Sequence, residues 1–265
     1  MNALSDADIQ SALKLNPIPV NYSVSEIAIK AGRVAIQVSA SIIFILVYYH
    51  LNYANVDPAP VLITSLSSSG CGYVLYRLIL SRSWSSVFKV PKEHVQVAVV
   101  YLVFSYLLAP TLRTLTDTIS TDTIHVTAVF MLCLHLVTSD YGLKGFLVSK
   151  PISVNAAVIG SIFLASRLDT DWDSIALLTF AIQLFVLFPI FSKLIQESAV
   201  ALSIMILLCA TLCITVSPNV FLAYSILMFV VIILCPMIFV LSCGLKRNIY
   251  GPWDEAVPEI KNKRE

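Results

Sequence analysis

Apolar positions in this chain collect into long charge-free runs rather than alternating with polar ones. The runs cover residues 34–56, 58–76, 94–112, 123–139, 151–166, 174–192 and 198–245, with lengths of 23, 19, 19, 17, 16, 19 and 48. Within them, stretches such as Ile42-Ile43-Phe44-Ile45-Leu46-Val47 are apolar on consecutive positions. That suits a helix facing lipid or protein all round, not the dyad pattern of a transmembrane barrel. A helix needs about 20 residues to cross the hydrocarbon core, so six runs predict one span each. The seventh is too long for one span and is broken by Ser217-Pro218-Asn219, a turn signal. The expected fold is therefore all-α, a polytopic membrane bundle of eight transmembrane helices. Its expected divisions are an N-terminal segment 1–33, a membrane domain 34–245 and a C-terminal tail 246–265.

Composition turns this pattern into an exclusion. Only 12% of residues are charged, 58% are hydrophobic, and the mean hydropathy is +0.85. A soluble domain carries about 25% charged residues, and disorder requires low hydrophobicity with high net charge. Seventeen basic and sixteen acidic residues leave a net charge of +1, which gives no electrostatic reason to expect a nucleic-acid partner. The placement of the few charges is more informative. With eight spans, fourteen Lys and Arg fall on the side of both termini, Arg113 and Arg167 fall on the other, and Arg77 sits within or at the end of the second span. The positive-inside rule then expects both termini in the cytosol. Asp57, Asp117, Asp122, Asp169, Asp171 and Asp173 fall opposite. The first 30 residues lack an apolar core, so no cleavable signal peptide is expected, and the span from Val34 would act as signal anchor. No loop has the size of a soluble domain and no Gly-rich phosphate loop is present. Ser65, Ser67, Ser68, Ser69 and Gly70 in the second span would permit close helix approach.

Several polar positions carry candidate chemistry. The segment from Thr111 to Ile124 is the most unusual. Arg113 and Asp117 stand at i,i+4 and would pair on a continuing helix, and Thr121 or Asp122 would cap the next one. The segment is either a hydrogen-bonded hairpin or a polar pocket for a head group or partner. His125 and His135 lie nearly three turns apart on the fourth span. They would relay protons or bind metal, or make polar helix–helix contacts, which is the simpler reading without a Glu or Cys at ligand spacing. Asp140 closes that helix. Asp169-Thr170-Asp171-Trp172-Asp173 contains an Asp-x-Asp pair, which in metal-dependent glycosyltransferases shares a divalent ion; the alternative is solvated charge. All six cysteines fall within or at the ends of predicted spans and read as small packing residues. Pro189 and Pro236 should kink their helices. Tyr250 and Trp253 follow Lys246-Arg247 in the tail, as an interfacial anchor or a docking element.

Four of these stretches together resemble the PIG-C family. They are Ala109-Pro110-Thr111-Leu112-Arg113-Thr114-Leu115-Thr116-Asp117 with Ser120-Thr121-Asp122-Thr123-Ile124; Val129-Phe130-Met131-Leu132 with Asp140-Tyr141-Gly142; Ala165-Ser166-Arg167-Leu168 with Thr179-Phe180-Ala181-Ile182-Gln183; and Asn248-Ile249 to Gly251-Pro252-Trp253-Asp254-Glu255-Ala256. The likeness runs over about residues 70 to 256, in order. It implies a multispanning subunit of the phosphatidylinositol N-acetylglucosaminyltransferase complex in the endoplasmic reticulum membrane. That complex moves GlcNAc from UDP-GlcNAc to phosphatidylinositol on the cytosolic face, the first step of GPI-anchor biosynthesis. In that complex the glycosyltransferase fold belongs to a PIG-A-type subunit, and PIG-H, PIG-P, PIG-Q and PIG-Y are further partners. No catalytic, cofactor or metal residues are therefore carried over to this chain. The Asp-x-Asp pair is not part of the family pattern, and the first 60 residues show little of it beyond one span.

The leading expectation is thus a non-catalytic scaffold that holds a catalytic partner and helps present the lipid. Basic residues at the cytosolic ends, Arg82, Lys89, Lys92, Lys144 and Lys150, would favour an anionic phosphoinositide. Arg113, Asp117, Asp122, Asp140, Trp253 and Asp254 are the remaining candidate lipid or partner contacts. A second class is a membrane-embedded lipid-modifying enzyme using His125, His135 or Asp140. A transporter is the third; it would show internal repeats with broken helices at matching positions, and none is evident in the sequence.

Overall fold

The computed structural model describes residues 14–15, 23–54, 56–81, 92, 96, 99–100, 103, 106–107, 110–111, 114, 116–141, 150–194, 199–243 and 249–250. Almost all of these are helical. In chain order they form α1 (Val24–Asn52), α2 (Pro58–Ser81), α3 (Thr121–Thr138), α4 (Lys150–Ala165), α5 (Asp171–Ile182), α6 (Phe188–Leu194), α7 (Ala199–Val216), α8 (Pro218–Phe229) and α9 (Cys235–Cys243). A π-helical turn, Gln183–Leu187, joins α5 to α6, and a second, Val230–Leu234, joins α8 to α9. Outside the helices, β1 (Lys14–Leu15) pairs antiparallel with β2 (Ile249–Tyr250), Lys14 opposite Tyr250 and Leu15 opposite Ile249. The described residues between 92 and 116 are helical as well and lie over the predicted third span.

Among the described residues, four segments are long and apolar enough to cross a membrane: Val24–Asn52, Thr121–Thr138, Asp171–Phe191 and Pro218–Cys243. Pro151–Ala165 and Leu202–Val216 are shorter apolar helices. Every helix coincides with one of the charge-free runs, but its ends do not. The first begins at Val24, well before Val34, so Glu26, Lys30 and Arg33 belong to it. A run ends where charge begins, whereas a helix continues through charge once its end leaves the hydrocarbon. Arg77 likewise lies inside α2, before its end at Ser81.

The core forms around α1, which packs against α7, α9, the second π turn, α5 and α3. Its inward side is made small by Ala35, Ser39, Ala40 and Ser41 and then bulky by Ile43 and Phe44. The Phe44 ring meets Phe185 of the first π turn edge-on, at 5.3 Å. The most extensive pairing is α3 against α4. Gly160 makes it close: a Cβ there would stand 3.3 Å from the Ala128 carbonyl oxygen and 3.3 Å from Met131 Cβ. Helices without a hydrophobic drive between them associate by such close packing. On the other side of α5 lies α2.

Two helices share a local pattern that hydropathy does not show. Thr170 and Ser217 cap the two long helices, each accepting backbone N–H bonds from the first turn. Gln183 and Val230 open the π turns, and Phe188 and Cys235 close them, each N–H bonding back five residues to Gln183 and Val230. A proline follows directly in both, Pro189 and Pro236. Cap, π turn and proline of the second helix each come 47 positions after their counterparts in the first. A short helix precedes each long one, α4 in the first unit and α7 in the second. Proline cannot donate to the carbonyl four residues back, and widening the preceding turn absorbs the mismatch. Hydropathy does not register backbone winding, so the repeat is invisible to it.

Candidate functional site

The polar side chains inside the bundle are the places where chemistry is expected. His135 is 2% exposed. Its Nε2 accepts from the Gln37 amide of α1 at 2.7 Å. The ring proton therefore sits on Nδ1, which donates to the Ser153 carbonyl of α4 at 2.9 Å. Ser153 returns a bond from its hydroxyl to the His135 carbonyl at 3.1 Å. Ser139 also donates to that carbonyl, at 2.6 Å, and its hydroxyl lies 3.0 Å from that of Ser153. The Phe185 ring packs edge-on against the imidazole at 4.9 Å. One imidazole thus joins α1, α3 and α4, with both nitrogens used.

His125 faces α1 too, and bonds elsewhere. Its Nε2 lies 2.9 Å from the Tyr48 hydroxyl, with the rings edge-on at 5.9 Å. The two histidines have separate partners and form no relay. Among the described residues no three His, Cys, Asp or Glu side chains are placed to hold a metal ion. Both histidines make the polar helix–helix contacts of the simpler reading.

The segment joining the third and fourth predicted spans is tied down by a residue far away in sequence. Arg167 Nη2 donates to the carbonyls of Thr116 at 2.5 Å and Ile119 at 2.7 Å. The cap of α3 is Ser120, not Thr121 or Asp122. Its extended backbone lets its hydroxyl accept from the Thr123 N–H at 3.3 Å, while Thr121 already begins the helix. Asp117 and Asp122 are exposed; Arg113 lies outside the described residues, so its pairing with Asp117 does too.

The acids after Arg167 serve the helix they begin. Thr170 accepts from the Asp173 N–H at 3.1 Å and donates to its carboxylate at 2.6 Å. Asp173 is buried and Asp171 is in the first turn, where negative charge favours a helix N-terminus. Asp173 is thus committed to the cap that opens α5.

At the opposite end of α3, Asp140 is half-buried. Arg33 Nη1 donates to the neighbouring Tyr141 carbonyl at 3.1 Å. The Tyr141 hydroxyl donates to the Leu136 carbonyl at 2.5 Å, and burial pushes its phenol above the usual value, offset in part by a bond with Ser139. Lys92 is exposed on a helical residue and Lys150 opens α4. Arg82, Lys89, Lys144, Trp253 and Asp254 lie outside the described residues.

Sequence reasoning missed Gln37, Tyr48, Ser153 and Gln183. Gln183 donates to the Ser68 hydroxyl of α2, and Ser39 bonds Tyr224 of α8 at 2.9 Å. A signal was present: two amide side chains, Gln37 and Gln183, stand inside charge-free runs. Counting only full charges passed over them, although an intramembrane polar group needs a partner as well.

Comparison with known proteins follows the same outline. The family described as GPI2, phosphatidylinositol N-acetylglucosaminyltransferase, matches residues 5–254. A mouse protein named as a phosphatidylinositol N-acetylglucosaminyltransferase subunit is 32% identical over 257 residues, 94% of this chain and 85% of that protein. Its human namesake is 32% identical over 250 residues, 91% and 82% of the two. The GPI2 protein of the same transferase from fission yeast, Schizosaccharomyces pombe, is 28% identical over 163 residues, 58% of this chain and 50% of that one. No solved structure matches the chain.

Proposed function

The chain belongs to the GPI2 family, and we propose that it is a non-catalytic membrane subunit of the complex that transfers GlcNAc from UDP-GlcNAc to phosphatidylinositol, the first step of GPI-anchor biosynthesis. Its mouse and human relatives are named as subunits of that transferase. The observation that carries the non-catalytic reading is where the polar side chains go. His125, His135 and Asp173 are engaged with Tyr48, with Gln37 and Ser153, and with Thr170. The histidine bonds hold helices together and the Thr170 bond caps α5; the Ser153 hydroxyl also lies 2.9 Å from His135 Nδ1, but both residues are closed inside the bundle, 4% and 2% exposed, away from any lipid. A lipid-modifying enzyme built on His125, His135 and Asp140 has no such support.

In this reading eight spans cross the endoplasmic reticulum membrane, with residues 1–33 and 246–265 in the cytosol. Two observations support it. Fourteen of the seventeen basic residues fall on one side of an eight-span arrangement. The β1–β2 pair sets the segment before α1 beside the segment after α9, an adjacency that fits an even number of crossings. Arg82, Lys89, Lys92, Lys144 and Lys150 would then face the anionic head group of phosphatidylinositol. The bundle would hold a PIG-A-type catalytic protein and PIG-H, PIG-P, PIG-Q and PIG-Y type partners. Charge reversal at the five basic positions should weaken lipid binding; unchanged affinity would remove them from the account.

The two π turns do not favour a transporter: each keeps its backbone hydrogen bond, Phe188 N–H to the Gln183 carbonyl and Cys235 N–H to the Val230 carbonyl, so neither helix is broken. The second π turn is Val-Val-Ile-Ile-Leu throughout, with no side chain to receive an ion or polar solute. The test of the subunit reading is purification of the tagged full-length chain in mild detergent, followed by mass spectrometry. A glycosyltransferase with a soluble domain should co-purify in stoichiometric amount. A chain that purifies alone would contradict the reading.

A further inference from the structure

We draw no further inference here: the strongest candidate, the polar seam between α2 and α5 where Gln183 meets Ser68 and the Thr179 hydroxyl and the Gln183 side-chain carbonyl are buried without a partner, carries nothing, because these atoms are closed off from solvent and lipid and nothing in the structure points to a ligand between them.

Discussion

His135 is where the account can be pressed hardest, because one ring joins three helices. Replacing it by alanine removes the bonds from Gln37 and to Ser153. Side-chain hydrogen bonds between membrane helices are worth about 0.6 kcal/mol each on average, with a ceiling near 1.7, so the pair supplies about 1.2 kcal/mol. The ring is 2% exposed and packed on Phe185. Deleting it leaves a cavity of about 65 Å³, which at ~24 cal/mol per Å³ costs ~1.6 kcal/mol. The expected destabilisation is about 3 kcal/mol. His125→Ala is the control: it loses one bond to Tyr48 from a half-buried ring, and should cost about 1 kcal/mol or less. Reversible unfolding in mixed micelles, followed by tryptophan fluorescence, measures both. A double-mutant cycle between Gln37→Leu and His135→Phe should show a coupling of about 0.6–1.7 kcal/mol. Equal costs for the two histidines would refute the reasoning. So would a His135→Ala chain of unchanged stability whose complex no longer transfers GlcNAc, since that is the signature of a catalytic group.

Other positions give separate checks. Arg167→Ala should free the Thr116 and Ile119 carbonyls and cost about 1.5–3 kcal/mol, the range for bonds to a charged group; hydrogen exchange over 116–120 should rise while that of α5 stays unchanged. Thr170→Ala leaves the buried Asp173 carboxylate without its hydroxyl donor and the Asp173 N–H without its cap, and should cost about 1–2 kcal/mol; Asp173→Asn should recover part of that loss. The double substitution Leu15→Cys with Ile249→Cys should form an intramolecular disulfide under mild oxidation, as the β1–β2 pairing requires. Failure to cross-link in intact membranes would separate the two termini and undo the even count of spans.

Much of the fold was readable because lipid imposes a simple rule: a charge-free run of sufficient length becomes a helix. Each described helix answers to such a run, down to the break at Ser217, which caps α8. The errors come where a rule other than hydropathy decides. The helix starting at Val24 extends through Glu26, Lys30 and Arg33 because backbone hydrogen bonding, not charge, sets its length. Ser120 rather than Thr121 caps α3 because the cap residue must be extended. The π turns depend on backbone winding before a proline, which leaves no trace in composition. The tie from Arg167 was hidden because its acceptors are carbonyls about fifty residues away. The histidines were seen, and the reading of them as helix contacts agrees with their partners; those partners, Gln37, Tyr48 and Ser153, were legible only as polar residues inside apolar runs.

The central claim is that this chain carries no transfer chemistry of its own. The direct measurement is transfer of radiolabelled GlcNAc from UDP-GlcNAc to phosphatidylinositol in reconstituted vesicles, with the purified full-length chain alone and with the glycosyltransferase that co-purifies with it. The account predicts no labelled lipid from the chain alone, and labelled lipid from the two together above the level given by the glycosyltransferase alone. Labelled lipid from this chain by itself, abolished by His135→Ala, would contradict it.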